Sequence, residues 1–316
     1  MKLLLTDCGT LSSNGDLPLE VFEKYGEVTY NHITSSEELL SGKYNPDIIL
    51  CNKTPITKEV MESMPNLKYI GLFATGFNNI DIDAAKELGI TVCNAGSYST
   101  SAVAQQTFAY ILSHYNSVEK LDASVKRGDW INSPTFSMLC HPTDELMNKT
   151  IGIIGFGSIG KRVAEIAKAF QMNVLVYTRT PKQAEGVSFV TLEELYKMSD
   201  IVTVHCPLNE QSQKMFNRNA FSKMKNGALF INTARGGVVD EKALFEALES
   251  GKLSGAAVDV LEYEPMKSDC VLLKAKNIII TPHTAWAPVT TRKRLLNIVC
   301  DNIDNYLIGT PKNVIV

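Results

Sequence analysis

The chain has 316 residues, of which 45% are hydrophobic and 21% are charged, and this length favours two globular domains over one. A net charge of −3, without any long basic stretch, argues against nucleic acid as a partner. The first apolar run, LLL, is too short for a signal peptide or a membrane span, so we expect a cytoplasmic protein. Seven scattered cysteines without a CxxC pair predict neither a disulfide framework nor a metal site.

Short apolar runs alternate with helical patterns before residue 100, which predicts a parallel sheet covered by helices on both faces. Strands are predicted at residues 3–7, 47–51, 69–73 and 90–94, and helices at residues 56–64 and 81–89. The spacing of apolar residues then predicts one long helical stretch over residues 100–128, with Ser99 or Thr100 as its N-cap.

The alternation restarts after an irregular stretch with two prolines. Seven further strands are predicted, with the sequences TIGIIGF, NVLVYT, VSFV, IVTVHC, ALFINT, GAAVDV and NIIIT. Helical patterns separate most of them, and one more helix is predicted over residues 288–309. This pattern predicts a full doubly wound sheet after residue 150 and a smaller domain before residue 100.

A glycine-rich loop follows the first of these seven strands and opens an amphipathic helix. Gly155 permits a tight turn, Gly157 lets the backbone approach a pyrophosphate, and Gly160 lets helix and strand pack closely. The pyrophosphate would lie on backbone N–H groups at the helix N-terminus, around Ser158 and Ile159. The sequence therefore predicts a dinucleotide site; an ordinary glycine-rich turn of an α/β protein is the alternative.

The next strand ends in VYTRT, where an acidic side chain usually holds the ribose hydroxyls of NAD. Thr178 removes the repulsion that a carboxylate would exert on a 2′-phosphate. Arg179, Thr180 and Lys182 offer charge and hydrogen bonds to such a phosphate. We therefore favour NADP as the cofactor, with NAD possible if Arg179 instead stacks beside the adenine or lies in solvent.

Three motifs further along the chain, in this order, resemble the D-2-hydroxyacid dehydrogenase family. They are INTARGGVVDEKAL (231–244), AAVDVLEYEP (256–265) and TPHTAW (281–286). The resemblance covers nearly the whole chain and includes FATGFNNIDIDAAKELGITVCN (73–94). Two more segments look most like the glycerate dehydrogenase, or hydroxypyruvate reductase, branch: SYSTSAVAQQTFAYIL (97–112) and GDWINSPTF (128–136).

The resemblance implies an oxidoreductase that interconverts small 2-keto acids and D-2-hydroxy acids, with hydroxypyruvate and D-glycerate favoured. It implies that Arg235 holds the carboxylate and carbonyl of the substrate and that His283 is the general acid/base. Glu264 would pair with this histidine, and Asp259 would contact the nicotinamide carboxamide. The backbone of residues 74–76, which are Ala74, Thr75 and Gly76, would cradle the substrate carboxylate.

The chemistry of these residue types agrees with that assignment. Reduction of a 2-keto acid needs a hydride, which a cofactor carries, and a proton, which a histidine can supply near neutral pH. A neighbouring carboxylate fixes the tautomer of the histidine, and the arginine fork matches a planar α-keto acid. His283 follows the apolar strand NIIIT, at the predicted carboxyl end of the sheet, where ligands of such folds bind.

Further cofactor contacts are predicted after the other strands of the larger sheet: His205, Cys206, Pro207, Thr233, Ala234 and Ala285, in addition to Asp259 and His283. His205 follows the strand IVTV and would line the adenosine side of the cofactor. Plain packing of this side chain is the alternative.

The resemblance also implies how the chain is divided. A flavodoxin-like substrate domain would comprise residues 1–99 and 286–316, and a Rossmann-type cofactor domain would comprise residues 100–285. Members of the family commonly form homodimers through the cofactor domain. The fold class is therefore α/β with two parallel sheets. The identity of the small-molecule substrate is not decided by the resemblance. The loop 137–145 departs from the glycerate branch, so glyoxylate or a bulkier 2-keto acid is an alternative, and a non-catalytic dinucleotide-sensing regulator is another.

Overall fold

The computed structural model describes residues 1–12, 15–181 and 183–316. Its backbone divides into two compact units, one formed by residues 1–99 with 286–316 and the other by residues 100–285. Each unit contains one parallel sheet flanked by helices, so the predicted α/β class with two parallel sheets is confirmed. In these ranges no helix has the length and apolar character needed to cross a membrane.

The described residues contain twelve strands. They are β1 (Lys2–Leu5), β2 (Glu27–Tyr30), β3 (Ile48–Cys51), β4 (Tyr69–Leu72), β5 (Thr91–Cys93), β6 (Thr150–Ile154), β7 (Asn173–Tyr177), β8 (Ser188–Phe189), β9 (Ile201–Val204), β10 (Ala228–Asn232), β11 (Leu253–Val258) and β12 (Ile278–Ile280).

Ten α-helices connect them within the same ranges. They are α1 (Ser36–Leu40), α2 (Lys58–Glu62), α3 (Ile82–Glu87), α4 (Thr100–Asn116), α5 (Val118–Lys126), α6 (Ser158–Ala169), α7 (Leu192–Met198), α8 (Arg218–Lys223), α9 (Glu241–Glu249) and α10 (Val289–Leu307).

The sheet of the first unit has the strand order β2-β1-β3-β4-β5, which is the flavodoxin-like order. Its central strands are continuous apolar runs because both of their faces are covered. In β3, Ile48 and Leu50 belong to the core beneath α10, whereas Ile49 belongs to the core beneath α1, α2 and α3. The sequence analysis missed β2, because this edge strand has mostly exposed side chains and no apolar alternation.

The sheet of the second unit has the order β12-β11-β10-β9-β6-β7-β8, and all seven strands predicted after residue 150 are present. Counted from β6, this is the doubly wound Rossmann order with one extra strand at the β12 edge. The order reverses between β6 and β9, whose last residues, Ile154 and Val204, are register partners. The chain segments that follow these two strands therefore begin side by side, at the carboxyl edge of the sheet.

The prediction of one long helical stretch over residues 100–128 is wrong in one respect, because the chain forms two helices there. Helix α4 begins at Thr100, and Ser117 adopts a left-handed conformation with φ = 50° that ends the helical path between α4 and α5. Helix α4 packs Phe108 and Ile111 into the core that it shares with Val163 of α6. Helix α5 buries only Ser124, so packing does not hold it in line with α4.

Candidate active site

The glycine loop after β6 owes its path to close backbone contacts. Gly155 has φ = +95°, and a Cβ atom there would lie 2.6 Å from the carbonyl oxygen of His205. A Cβ at Gly160 would lie 2.1 Å from the carbonyl oxygen of Gly155. Both positions therefore require glycine for packing. A Cβ at Gly157 would meet no atom within 4 Å, so the backbone at this glycine faces open space.

Helix α6 begins directly after Gly157, which is its N-cap, and carries no acidic side chain in its first turn. The first N–H groups of a helix have no partner inside the helix, and the helix dipole favours negative charge at this end. Gly160 is buried against the sheet, Ile159 is half-buried and Ser158 is exposed. The open space at Gly157 and this helix start together suit a pyrophosphate.

A cavity of about 250 Å³ opens beside the glycine loop. Eight predicted cofactor residues line it: Gly155, Gly157, Thr178, Arg179, Thr180, His205, Cys206 and Pro207. Among the described residues of its wall, no side chain is acidic. Lys182, which the sequence analysis also considered for the phosphate, lies outside the described residues.

The sequence analysis missed another part of the cavity wall, which consists of Phe156, Tyr177, Asn209, Gln211, Ser212 and Met215. Most of it belongs to the segment after Pro207. Ser212 donates its hydroxyl to the carbonyl of Pro207 over 2.7 Å, and its Oγ accepts the N–H of Asn209 over 2.8 Å. This local turn folds the segment back towards the cavity, and its sequence has no periodicity that would have revealed it.

His205 follows the last residue of β9, and the hydroxyls of Thr203 in β9 and Thr233 after β10 lie beside its ring. Its Nε2 is 2.9 Å from Oγ1 of Thr203, and its Nδ1 is 3.5 Å from Oγ1 of Thr233. Burial lowers the pKa of His205 to about 3, so the ring is neutral at neutral pH. Burial also raises the pKa of the neighbouring Cys206 thiol. Both residues therefore line the cavity as neutral groups.

His283 and Glu264 form a direct pair in the same unit. The Nδ1 atom of His283 lies 2.6 Å from Oε2 of Glu264, and the backbone N–H of Leu261 donates to Oε1 of Glu264 over 2.9 Å. Because a carboxylate accepts hydrogen bonds, Nδ1 carries the proton and Nε2 remains for exchange with a ligand. The His283 side chain is 25% exposed, so it is accessible to a small molecule.

The loop after β12 presents His283 in a left-handed conformation, with φ = 55°. The His283 N–H donates to the carbonyl of Asp259 over 2.8 Å. The carboxylate of Asp259, which is 1% exposed, accepts the N–H groups of Thr284 and Ala285, each over 2.9 Å. Asp259, predicted to contact the nicotinamide carboxamide, therefore directs its carboxylate into the loop that carries His283. That predicted contact stays a prediction.

Arg235 lies in the loop after β10, three residues beyond the last strand residue. The buried side chain of Asn232 braces this loop, because its Oδ1 accepts the N–H of Ala234 and its Nδ2 donates to the carbonyl of Arg235. A Cβ at Gly236 would lie 1.8 Å from the backbone carbon of Leu261. The loop of Arg235 therefore touches the segment that leads to Glu264, and only glycine permits this approach.

The predicted substrate residues Ala74, Thr75 and Gly76 follow β4 in the other unit. The carbonyl of Ala74 accepts the N–H of Ala95 over 2.9 Å, and the carbonyl of Thr75 accepts the side-chain amide of Asn94 over 2.7 Å. The Thr75 hydroxyl donates to the carbonyl of Gly96. These bonds brace the turn against the loop after β5, and its role in substrate binding stays a prediction.

A cluster of metal-ligating side chains is absent from the described ranges: no three His, Cys, Asp or Glu residues there are placed to hold a metal ion. The histidine–carboxylate pair, the arginine loop and the cavity beside the glycine loop all lie in the second unit.

These elements define a nicotinamide-dependent oxidoreductase, and comparison with known proteins agrees. The model of the D-isomer specific 2-hydroxyacid dehydrogenase NAD-binding domain matches residues 108–285. The chain belongs to the D-2-hydroxyacid dehydrogenase family, as the three sequence motifs predicted, and the second unit contains its dinucleotide-binding domain.

Individual relatives are similar over the whole chain. A hydroxypyruvate reductase of Blautia hydrogenotrophica is 39% identical, and the alignment covers 100% of this chain and 99% of the relative. A glycerate dehydrogenase of Methylorubrum extorquens is 35% identical over 90% of both chains. The solved structure of an acyclic imino acid reductase in complex with NADPH and D-Arg is 31% identical, covers 100% of both chains and has a TM-score of 0.88.

Proposed function

We propose that this D-2-hydroxyacid dehydrogenase reduces hydroxypyruvate to D-glycerate with NADPH. The observation that carries the proposal is the His283–Glu264 pair, which holds the proton on Nδ1 and leaves Nε2 for the substrate. The loop of Arg235 touches the segment before Glu264, which supports a common role for the three side chains. The names of the two curated relatives support hydroxypyruvate as the substrate.

The residues of the chain divide the work of the reduction. A bound nicotinamide cofactor supplies the hydride for the carbonyl carbon. The protonated ring of His283 gives the Nε2 proton to the carbonyl oxygen, and Glu264 stabilises the ring throughout and fixes its orientation. Arg235 binds the planar 2-keto acid through two parallel N–H donors. A 2-keto acid, a hydride and a proton thus give a 2-hydroxy acid.

The preference for NADP rests on the cavity beside the glycine loop. Thr178, Arg179 and Thr180 line it, and no acidic side chain does so among the described residues. An acidic side chain at this strand end would bind the ribose 2′-hydroxyl and repel a 2′-phosphate. Arg179 and the two threonines instead offer a cation and hydroxyl donors to that phosphate. The similar imino acid reductase holds NADPH, which also supports this choice.

A substrate panel with NADPH and NADH in parallel tests both parts of the proposal. We expect the highest kcat/KM with hydroxypyruvate and NADPH, and lower values with glyoxylate, pyruvate and longer 2-keto acids. A higher kcat/KM with glyoxylate or a bulkier acid would overturn the choice of substrate. Tight NADPH binding without turnover of any keto acid, with or without ammonium as an imine-forming partner, would favour a dinucleotide-sensing regulator.

We further propose that the chain forms a homodimer through the dinucleotide-binding unit. Four large apolar side chains on residues 130–139 are strongly exposed: Trp130 at 50%, Ile131 at 86%, Phe136 at 91% and Leu139 at 94%. A group of strongly exposed large apolar side chains on one short segment suits an association surface. A second copy of the chain is the partner that the family resemblance favours.

A further inference from the structure

A chain of hydrogen bonds runs from helix α4 to the loop that carries His283. The hydroxyl of Tyr110, on α4, lies 2.5 Å from Oγ1 of Thr281. The same Oγ1 lies 2.5 Å from Oδ1 of Asp259. Asp259 in turn accepts the backbone N–H groups of Thr284 and Ala285, on the far side of His283. The residues at both ends of the histidine turn are thus connected to one buried carboxylate.

The donors and acceptors along this chain have one consistent direction. Both oxygens of Asp259 already accept backbone N–H groups, so its carboxylate is the acceptor for the Thr281 hydroxyl. A threonine hydroxyl has one proton, and that proton is used on Asp259. Tyr110 must therefore donate to Thr281. Burial, as the largest cause, raises the pKa of Tyr110, which keeps this phenol protonated and able to donate.

The backbone conformation of His283 explains why the loop needs these hydrogen bonds. We call the set the clamp: Tyr110 to Thr281, Thr281 to Asp259, and Thr284 and Ala285 to Asp259. A non-glycine residue with φ near 55° lies in a sparsely populated region, and a strained backbone of this type persists only when its surroundings hold it. The carbonyl of Asp259 accepts the N–H of His283, and its carboxylate accepts the Thr281 hydroxyl before His283 and the N–H groups of Thr284 and Ala285 after it. Tyr110, 3% exposed on a helix packed against the sheet, fixes the remaining freedom of the Thr281 side chain.

We propose that Tyr110 is a positioning residue for the catalytic proton transfer, acting on His283 through Thr281 and Asp259. This inference rests on the proposed role of His283 as the acid/base. Tyr110 lies in the segment 97–112 that resembles the glycerate dehydrogenase branch, but the sequence gives it no role, because its contact with Thr281 joins residues that are 171 positions apart. In an enzyme, an error of one ångström in such a group has a large effect on the rate.

The test is a double-mutant cycle with Tyr110→Phe and Thr281→Val in the full chain, assayed with hydroxypyruvate and NADPH. We expect Tyr110→Phe to lower kcat about fivefold and Thr281→Val to lower it about tenfold, since each removes one hydrogen bond of the clamp. The KM values and the NADPH dissociation constant should change by less than about twofold. Because Tyr110 acts through Thr281, the double variant should match Thr281→Val alone.

Two further readouts separate positioning from general stability. The solvent deuterium isotope effect on kcat should rise in Tyr110→Phe, because a misplaced His283 slows proton transfer. Tyr115→Phe is the matched control, since Tyr115 is a buried tyrosine of the same helix that packs near Lys149; it should leave kcat unchanged. If Thr281→Val does not fold, Thr281→Ser replaces it in the test. Serine keeps the hydroxyl that accepts from Tyr110, so Tyr110→Phe should lower kcat by the same factor in the Thr281→Ser background as in the wild-type chain.

Additive losses in the cycle, an unchanged kcat in Tyr110→Phe, or an equal loss in Tyr115→Phe would each overturn the inference. His283→Ala, assayed beside these variants, keeps the two proposals distinguishable. Near-normal turnover of His283→Ala would contradict the proposed function itself. An inactive His283→Ala together with an additive cycle would contradict only the role of Tyr110.

Discussion

His283 and Glu264 have complementary roles in the proposed proton transfer, because the carboxylate orients the ring and the ring supplies the proton. The 2.6 Å contact to Nδ1 fixes the tautomer, so in the proposed reaction the proton for the substrate would come from Nε2. The carboxylate of Glu264 thus lies beside the histidine. The cavity beside the glycine loop, in contrast, has no acidic side chain among its described residues.

His283→Ala should lower kcat for hydroxypyruvate by about 10²-fold or more, because general acid/base catalysis typically contributes that factor. NADPH binding, measured by fluorescence titration, should remain within about twofold, since the dinucleotide cavity lies at other residues. His32→Ala is a suitable control because His32 is exposed in the other unit. Retention of near-normal kcat in His283→Ala would refute the proposed role.

Thr178→Asp should reverse the cofactor preference. A carboxylate at this position would repel a 2′-phosphate and bind the free 2′-hydroxyl of NADH. We expect the ratio of kcat/KM with NADPH to kcat/KM with NADH to fall by about tenfold or more, because loss of a charge-assisted contact is worth about 1.5–3 kcal/mol. Ser188→Asp places the same charge on exposed β8 and should leave the ratio unchanged. Equal falls in both variants would argue for a nonspecific effect of charge.

At the scale of the element, the glycines at the start of α6 differ in the space around them, which indicates a structural role for Gly160 and a ligand-binding role for Gly157. A Cβ at Gly160 would collide with the carbonyl of Gly155, whereas a Cβ at Gly157 would meet nothing within 4 Å. Gly160 therefore permits packing of helix on strand, and we propose that the open space at Gly157 receives the pyrophosphate.

A matched pair of alanine substitutions tests this division. Gly157→Ala should leave the thermal midpoint near that of the wild type but raise the NADPH dissociation constant about tenfold, because the methyl group occupies space at the helix N-terminus. Gly160→Ala should lower the thermal midpoint by several degrees, since overpacking costs about 1–3 kcal/mol. Normal NADPH affinity in Gly157→Ala would contradict a pyrophosphate at this position.

Elements with strong apolar patterns could be predicted from the sequence, and elements fixed by long-range contacts could not. Five of the seven strands after residue 150, namely β6, β7, β9, β10 and β11, are mostly buried apolar runs, which local sequence reveals. Strand β2 was missed because its pairing with β1 relies on backbone hydrogen bonds rather than on apolar side chains. The break at Ser117 depends on a positive φ that no glycine signals.

The same distinction applies within the candidate site. Gly155, Gly157 and Gly160 form a motif, so the sequence predicted the cavity beside them. Asn232, which braces the Arg235 loop, and Tyr110, which bonds to Thr281, act through contacts that only the folded chain creates. Both residues lie in segments that resemble the family, but the sequence assigned neither of them a role, because those roles become visible only when distances are known.

At the scale of the whole molecule, the proposed functional residues are distributed unevenly between the two units. The dinucleotide cavity, His283, Glu264 and Arg235 all lie within residues 100–285, on loops at the carboxyl edge of one sheet. A parallel sheet gathers such loops at one edge because every strand ends there. The same unit carries the exposed apolar side chains of residues 130–139, so association of two copies there would join the units that hold the proposed catalytic residues.

Sedimentation velocity tests the proposed homodimer. The wild-type chain of 34.8 kDa should sediment as a dimer of about twice that mass. Phe136→Asp combined with Leu139→Asp should shift it to the monomer, because charges placed in a buried apolar interface lose hydration without gaining a partner. Ile308→Asp is the control: Ile308 is 74% exposed but lies in the other unit, so this variant should stay dimeric. A monomeric wild type, or a dimer that survives both charges, would show that residues 130–139 are not the interface.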